Sequence, residues 1–214
     1  MIYYNNQKAR SKRNINMKNN FSFPPFKLED HVYHNEAFAE LCKDAVRAFN
    51  GTPVCELPPP RFAGSGVYAI YCTAKTGLYE RYGNKVNRMG YNVPIYVGKA
   101  VPQGWRQSRT AGVDSLSFDE QMKFWIGLIK SSIGLEAADF QLRSHCCNVA
   151  EIDLAHGVHW LMQNTYQPLW NKIFGGCKTT ENVAARWARL HSVRFRSKAD
   201  KTFQGEVRKL MDVA

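Results

Sequence analysis

The chain has little that would commit it to a membrane, a secretory route or a disulfide framework. No run approaches the ~18 consecutive apolar residues that a spanning helix needs. The opening stretch, MIYYNNQKARSKRNINMKNN, is too polar for the apolar core of a signal peptide. None of the six cysteines (Cys42, Cys55, Cys72, Cys146, Cys147, Cys177) forms a C-x-x-C pair. In an intracellular chain that pattern predicts free, mostly buried thiols. There is no internal repeat. The expectation is a soluble, cytoplasmic protein with no membrane partner.

What is present supports one real core. The chain has 214 residues, 44% of them hydrophobic and 13% aromatic, which excludes disorder and suits one domain or two small ones. Its net charge of +11 is unevenly placed. Residues 1–20 carry five basic and no acidic side chains, and residues 178–214 carry nine basic against four acidic. Between them, residues 21–177 are nearly neutral. A flexible basic leader, a body and a basic C-terminal extension are expected in that order. Two cationic segments on a neutral body predict a polyanionic partner, nucleic acid first.

The body reads as a small α/β (α+β) domain of order α-β-β-α-β-α, a three-stranded sheet flanked by helices. FSFPPF, at 21–26, reads as an aromatic patch pinned on the body. Asn35 to Phe49 is a helix, with Phe38, Leu41, Cys42, Ala45 and Phe49 on one face, Asn35 as its cap and Asn50-Gly51 as its stop. Pro58-Pro59-Pro60 is a stiff link. Val67 to Cys72 is a strand buried on both faces, and Val93 to Gly98 a second. A polar stretch carrying Arg81, Lys85 and Arg88 separates them. Ser117-Phe118-Asp119-Glu120 has the form of a capping box. The helix it opens buries Met122, Trp125, Ile126, Ile129 and Ile133. Phe140 to Cys146 alternates as a third strand. Asp153 to Tyr166 is a helix ended by Pro168, and residues 182–191 form a short basic helix.

Two tripeptides carry the functional signal. Gly66-Val67-Tyr68 and Tyr96-Val97-Gly98 put two tyrosines on successive strands, followed by Lys99-Ala100 and an arginine-bearing segment. In this order they resemble the GIY-YIG nuclease superfamily. LPPPRFAGSGVYAIY, NVPIYVGKAVPQGWRQSR and Gln167-Pro168-Leu169-Trp170-Asn171 are similar to one branch, the type II restriction endonucleases of SacII-like specificity, which recognise CCGCGG. The resemblance spans roughly residues 30 to 175, and the tail beyond Asn171 looks unlike the family. It implies hydrolysis of double-stranded DNA with a divalent metal such as Mg²⁺. A palindromic site further implies a homodimer.

Phosphodiester hydrolysis needs an activated water, charge relief on the phosphoryl oxygens and a base. In the resembled family a first tyrosine helps activate water and a second supports it. An arginine holds the phosphate, a histidine lies four residues later on the same helix, a glutamate binds metal and an asparagine orients the site. Tyr68, Tyr96 and Asn171 match. The other three do not. No Arg or His lies between Thr110 and Leu142, and by spacing Gln121 and Trp125 stand in those places. His159 stands where the glutamate belongs, with Asp153 and Glu151 the nearest carboxylates.

Three readings follow. An active nuclease would hold metal on His159 and Asp153 and use Arg106 or Arg109 as its guanidinium. A scaffold that keeps DNA binding and has lost cleavage is the second. A structural or protein-interaction module is the third. The candidate DNA contacts are Lys99, Arg106, Arg109, Arg81, Lys85, Arg88, Arg186 and Arg189, with Arg194 and Arg196 beside the last two. His156 and His159, three apart, are a weaker metal pair. His145-Cys146-Cys147 with Cys177 fits no established zinc spacing.

Overall fold

The computed structural model describes residues 25–61, 64–101, 117–132, 134–147, 152–191 and 198–213. The chain divides into two units, residues 1–34 and 35–214. Within the first, the described element is one 3₁₀ turn, Leu28–His31. Residues 21–24 of the aromatic patch lie outside the described residues.

The second unit is built on β2 (Ser65–Cys72), an eight-residue strand buried throughout. It pairs antiparallel with β3 (Tyr96–Ala100) on one side and β4 (Phe140–Cys147) on the other. A two-residue strand, β1 (Cys55–Glu56), pairs with β4 and makes the sheet four-stranded, in the order β1-β4-β2-β3. The sequence suggested three strands, because two residues before a proline run carry no alternation to detect. The second strand also begins later than its apolar run. Pro94 has no N–H to give a ladder, and pairing instead continues through Lys99 and Ala100.

Alternate residues of β2 serve two cores, as the period of two requires. Tyr68, Ile70 and Cys72 face α3 (Ser117–Lys130), α5 (Leu169–Phe174), α6 (Thr180–His191) and α7 (Lys198–Val213). Val67, Ala69 and Tyr71 face α1 (Glu36–Gly51) and α4 (Ile152–Tyr166). The first core is aromatic: Trp125 stacks on Trp170 at 5.2 Å, and Trp170 meets Trp187 edge-on at 4.9 Å. Each such buried ring contributes roughly 1.5–3 kcal/mol of transfer free energy, and this cluster anchors the C-terminal helices to the sheet.

Asn35 caps α1 as expected, its Oδ1 accepting from the Phe38 N–H at 3.0 Å. Cys42 and Phe49 are buried, with Ala45 and Val46 packed beside them, whereas Phe38 and Leu41 stay largely exposed. The Ser117 side chain and Ile133 lie outside the described residues. The thiols of Cys42, Cys55, Cys72 and Cys177 are free, and the first and third are buried. Three helices went unread in the sequence, the short α5 that follows Pro168 among them. Another is α2 (Glu80–Met89), which turns Tyr82 and Val86 inward from the stretch that looked merely polar. The third is α7. Among the described residues no helix is long and apolar enough to cross a membrane.

Candidate active site

Strand register places the first tyrosine. Tyr68 on β2 lies directly across from Gly98 on β3, and the phenol ring lies over that glycine. A Cβ at Gly98 would fall 2.5 Å from Tyr68 Cζ and 2.7 Å from Tyr96 Cε1. The glycine of the second motif is therefore a space requirement: both tyrosine rings occupy the volume any other side chain would need. The two rings are 5.9 Å apart.

Helix α3 closes over this pair. Gln121 and Trp125, four apart on one face, both reach the Tyr68 hydroxyl. The indole Nε1 of Trp125 donates to it at 3.1 Å, and the hydroxyl donates to Gln121 Oε1 at 3.2 Å. Trp125 also lies 4.5 Å from the Tyr96 ring. Tyr68 is fully buried. Burial first, and the neighbouring Tyr96 second, push its pKa well above the ordinary phenol range. Burial raises Tyr96 as well. Gln121 and Trp125 thus both stand beside the first tyrosine.

Asn171 serves the backbone. Its Oδ1 accepts from the Val97 N–H and its Nδ2 donates to the Val97 carbonyl, both at 2.8 Å. The Trp170 N–H donates to the Ile95 carbonyl at 2.9 Å. The start of α5 thus covers the outer edge of β3, which would otherwise expose an unpaired ladder. His159 approaches the same point from α4, on the other side of the sheet. Burial, then the charge of Lys99, lower its pKa to about 4, against the pull of the Val97 carbonyl. The ring is neutral at pH 7. Tyr68 and Tyr96 therefore converge with Gln121 and Trp125, while Asn171 and His159 meet at Val97.

The remaining candidates divide. Arg106, Arg109 and Glu151 lie outside the described residues. Asp153 lies in the first turn of α4, and its side chain is outside them too, as are those of His145, Cys146 and Cys147. Arg81, Lys85 and Arg88 follow one another along the face of α2 opposite Tyr82 and Val86. Arg186 is engaged within the fold, its Nη1 donating to the Ile173 carbonyl at 2.8 Å. The Arg189 guanidinium lies 5.2 Å over the Phe203 ring of α7.

GIY-YIG nucleases are generally dependent on a divalent metal. Among the described residues the donors do not make a site for Mg²⁺, which is a hard cation held by oxygen ligands. His159 offers an imidazole nitrogen, and the ammonium of Lys99 beside it opposes a second positive charge. Among the described residues no group of three or more His, Cys, Asp or Glu is placed to hold a metal.

An antiparallel sheet flanked by helices on both faces, with paired tyrosines on β2 and β3 and an asparagine clamping the second strand, defines a domain of GIY-YIG type. Residues 60–211 match the Eco29kI GIY-YIG domain, and the chain belongs to that family of GIY-YIG restriction endonucleases. The match reaches well past Asn171, so the C-terminal helices that looked foreign to the family in sequence fall within it. No curated protein matches the chain.

Proposed function

We propose that the chain is a duplex-DNA-binding protein of restriction-endonuclease type whose tyrosine site no longer hydrolyses phosphodiesters. The hydrogen bonding of Tyr68 carries this reading. Its oxygen accepts from an indole and its proton is given to a glutamine amide. Neither Trp125 nor Gln121 can take up a proton, and neither brings positive charge to a phosphate. A missing base costs roughly 10²–10⁴ in rate, and one missing electrostatic donor roughly 10²–10³. Two such losses among the described partners of Tyr68 together lower the rate by roughly 10⁴–10⁷.

DNA binding is supported by family membership and by the charge distribution. The contacts proposed are Lys99, Arg106, Arg109, the α2 stripe of Arg81, Lys85 and Arg88, and Arg186 with Arg189 at the C-terminal extension. Recognition of a CCGCGG-type palindrome by a homodimer, in the cytoplasm, belongs to the same proposal.

The test uses supercoiled plasmid carrying CCGCGG sites, with Mg²⁺ or Mn²⁺, beside a gel-shift titration on duplex. The expected result is binding that weakens with salt and no nicked or linear product. Discrete cuts that disappear in the Tyr68→Phe and His159→Ala variants would replace this reading with that of an active nuclease using His159, Asp153 and Arg106 or Arg109. Absence of both cutting and binding would leave only an interaction module.

A further inference from the structure

Helix α7 docks through Phe203, Val207 and Leu210, spaced four and three apart, and Val207 is fully buried in the aromatic core. That docking fixes which way the rest of the helix faces. Lys201, Arg208 and Lys209 are exposed on the opposite side, with Glu206 flanking them. Lys201 and Arg208 are two turns apart, about 10 Å along the axis at the rise of an α-helix. Between them on the same side sits Gly205, where an added Cβ would meet nothing within 4 Å.

Glycine inside a helix is costlier than alanine, and no neighbour here needs the room. Among the described residues packing gives no reason for it. The exposed face has Lys201 toward one end, Arg208 and Lys209 with Asp212 four residues past Arg208 toward the other, and no side chain at its centre, which allows a charged surface to approach the helix backbone closely. Duplex DNA presents one negative charge per ~1.7 Å of its axis, so a span of this length faces several phosphates. The basic side chains of α6, by contrast, are partly occupied within the fold: Arg186 on the Ile173 carbonyl, and Arg189 over Phe203.

We propose that the outer face of α7 is a DNA-backbone contact surface, with Lys201, Arg208 and Lys209 straddling the phosphates across Gly205. This rests on the duplex-binding reading above and adds the surface that positions the protein on its substrate. Phosphate contacts of this kind fix register and carry no sequence information. Variants on this face should therefore weaken specific and non-specific binding alike.

The experiment is fluorescence anisotropy of the full chain on labelled duplexes, with and without a CCGCGG site, over a salt series. The variants are the triple Lys201→Gln, Arg208→Gln, Lys209→Gln and the single Gly205→Glu. A control removes the same charge elsewhere with Lys43→Gln, Arg47→Gln and Lys130→Gln. The triple variant should lose roughly 10–100-fold in affinity on both duplexes and lower the slope of log affinity against log salt by about 2–3. Gly205→Glu should weaken binding in the same direction with its circular dichroism unchanged, and the control should differ from wild type by less than about 3-fold. Equal losses in the control and the triple variant would reduce the effect to net charge and overturn the proposal. So would unchanged DNA binding in the triple variant, including the case in which only its binding to anionic phospholipid vesicles falls. Failure of the wild type to bind any duplex would sink the underlying reading together with this one.

Discussion

At the scale of single residues, the surroundings of Tyr68 weigh against its acting as a base. A phenol with an ordinary pKa near ~10 already needs help to act as a base at neutral pH. Burial and Tyr96 move it further from that role, and its hydroxyl is hydrogen-bonded to Trp125 and Gln121. Tyr68→Phe would leave the indole N–H and the Gln121 carbonyl without their shared partner. The expected cost is about 1–3 kcal/mol of stability, read by denaturant unfolding, with DNA affinity unchanged. The converse experiment restores the family's residues with Gln121→Arg, Trp125→His and His159→Glu. Trp125 is 2% exposed and stacked on Trp170, so the exchange opens a cavity, and the protein must first be shown to be folded. Metal-dependent nicking of plasmid by the triple variant, lost again on adding Tyr68→Phe, is the expected result. A folded triple variant that stays inert would show that more than these three positions separates the chain from an active enzyme.

At the scale of elements, β3 is an edge strand of five residues, and its placement depends on the turn from α4 into α5. Asn171 holds it by two hydrogen bonds to one residue, Val97. Asn171→Leu keeps the bulk and removes both, leaving the Val97 N–H without that partner. The expected loss is about 2–4 kcal/mol, accompanied by faster hydrogen exchange at the Val97 and Lys99 amides than at those of β2. Unchanged exchange would mean that the strand is held by its pairing with β2 alone. The same elements show what the sequence discloses. β2 was legible because a short run of β-branched and aromatic residues, buried on both faces, leaves no polar position to confuse it. The tyrosine pair was legible because register follows from the strands. The two-strand-buried core could not reveal β1, since two residues carry no period. Helix α2 was hidden because its inward side chains, Tyr82 and Val86, form a narrow stripe on a mostly polar helix, and α7 because its apolar stripe of Phe203, Val207 and Leu210 lies among charges. The role of Asn171 was named from a resemblance, but that its amide pairs with a main-chain N–H and C=O is a tertiary fact with no local signature.

At the scale of the whole molecule, two neutral histidines tie stability to pH. His191 is held as one tautomer: its Nδ1 donates to the Trp187 carbonyl at 3.0 Å, and its Nε2 accepts from the Tyr79 hydroxyl at 2.9 Å. Burial lowers its pKa from 6.5 to about 4, opposed by the Trp187 carbonyl. His159, on the other side of the sheet, reaches a similar value through burial, Lys99 and His156. In both, the unfolded chain takes up the proton at higher pH than the folded chain. Stability is therefore fullest above pH 6.5, declines as pH falls toward about 4, and levels off below it as far as these two groups are concerned. A shift of that size corresponds to a ceiling on the order of 3 kcal/mol for each histidine, and partial exposure brings the working figure lower. The two act in separate cores, one among the tryptophans of α5 and α6 and one at the edge of β3, so their contributions should add. Urea unfolding at pH 7.5 and pH 4.5 should show a loss of about 2–5 kcal/mol in total. His191→Gln should remove roughly half of that pH dependence, with Tyr79 still within reach of a side-chain amide. A His191→Gln variant that keeps the full pH dependence would place the titrating group elsewhere.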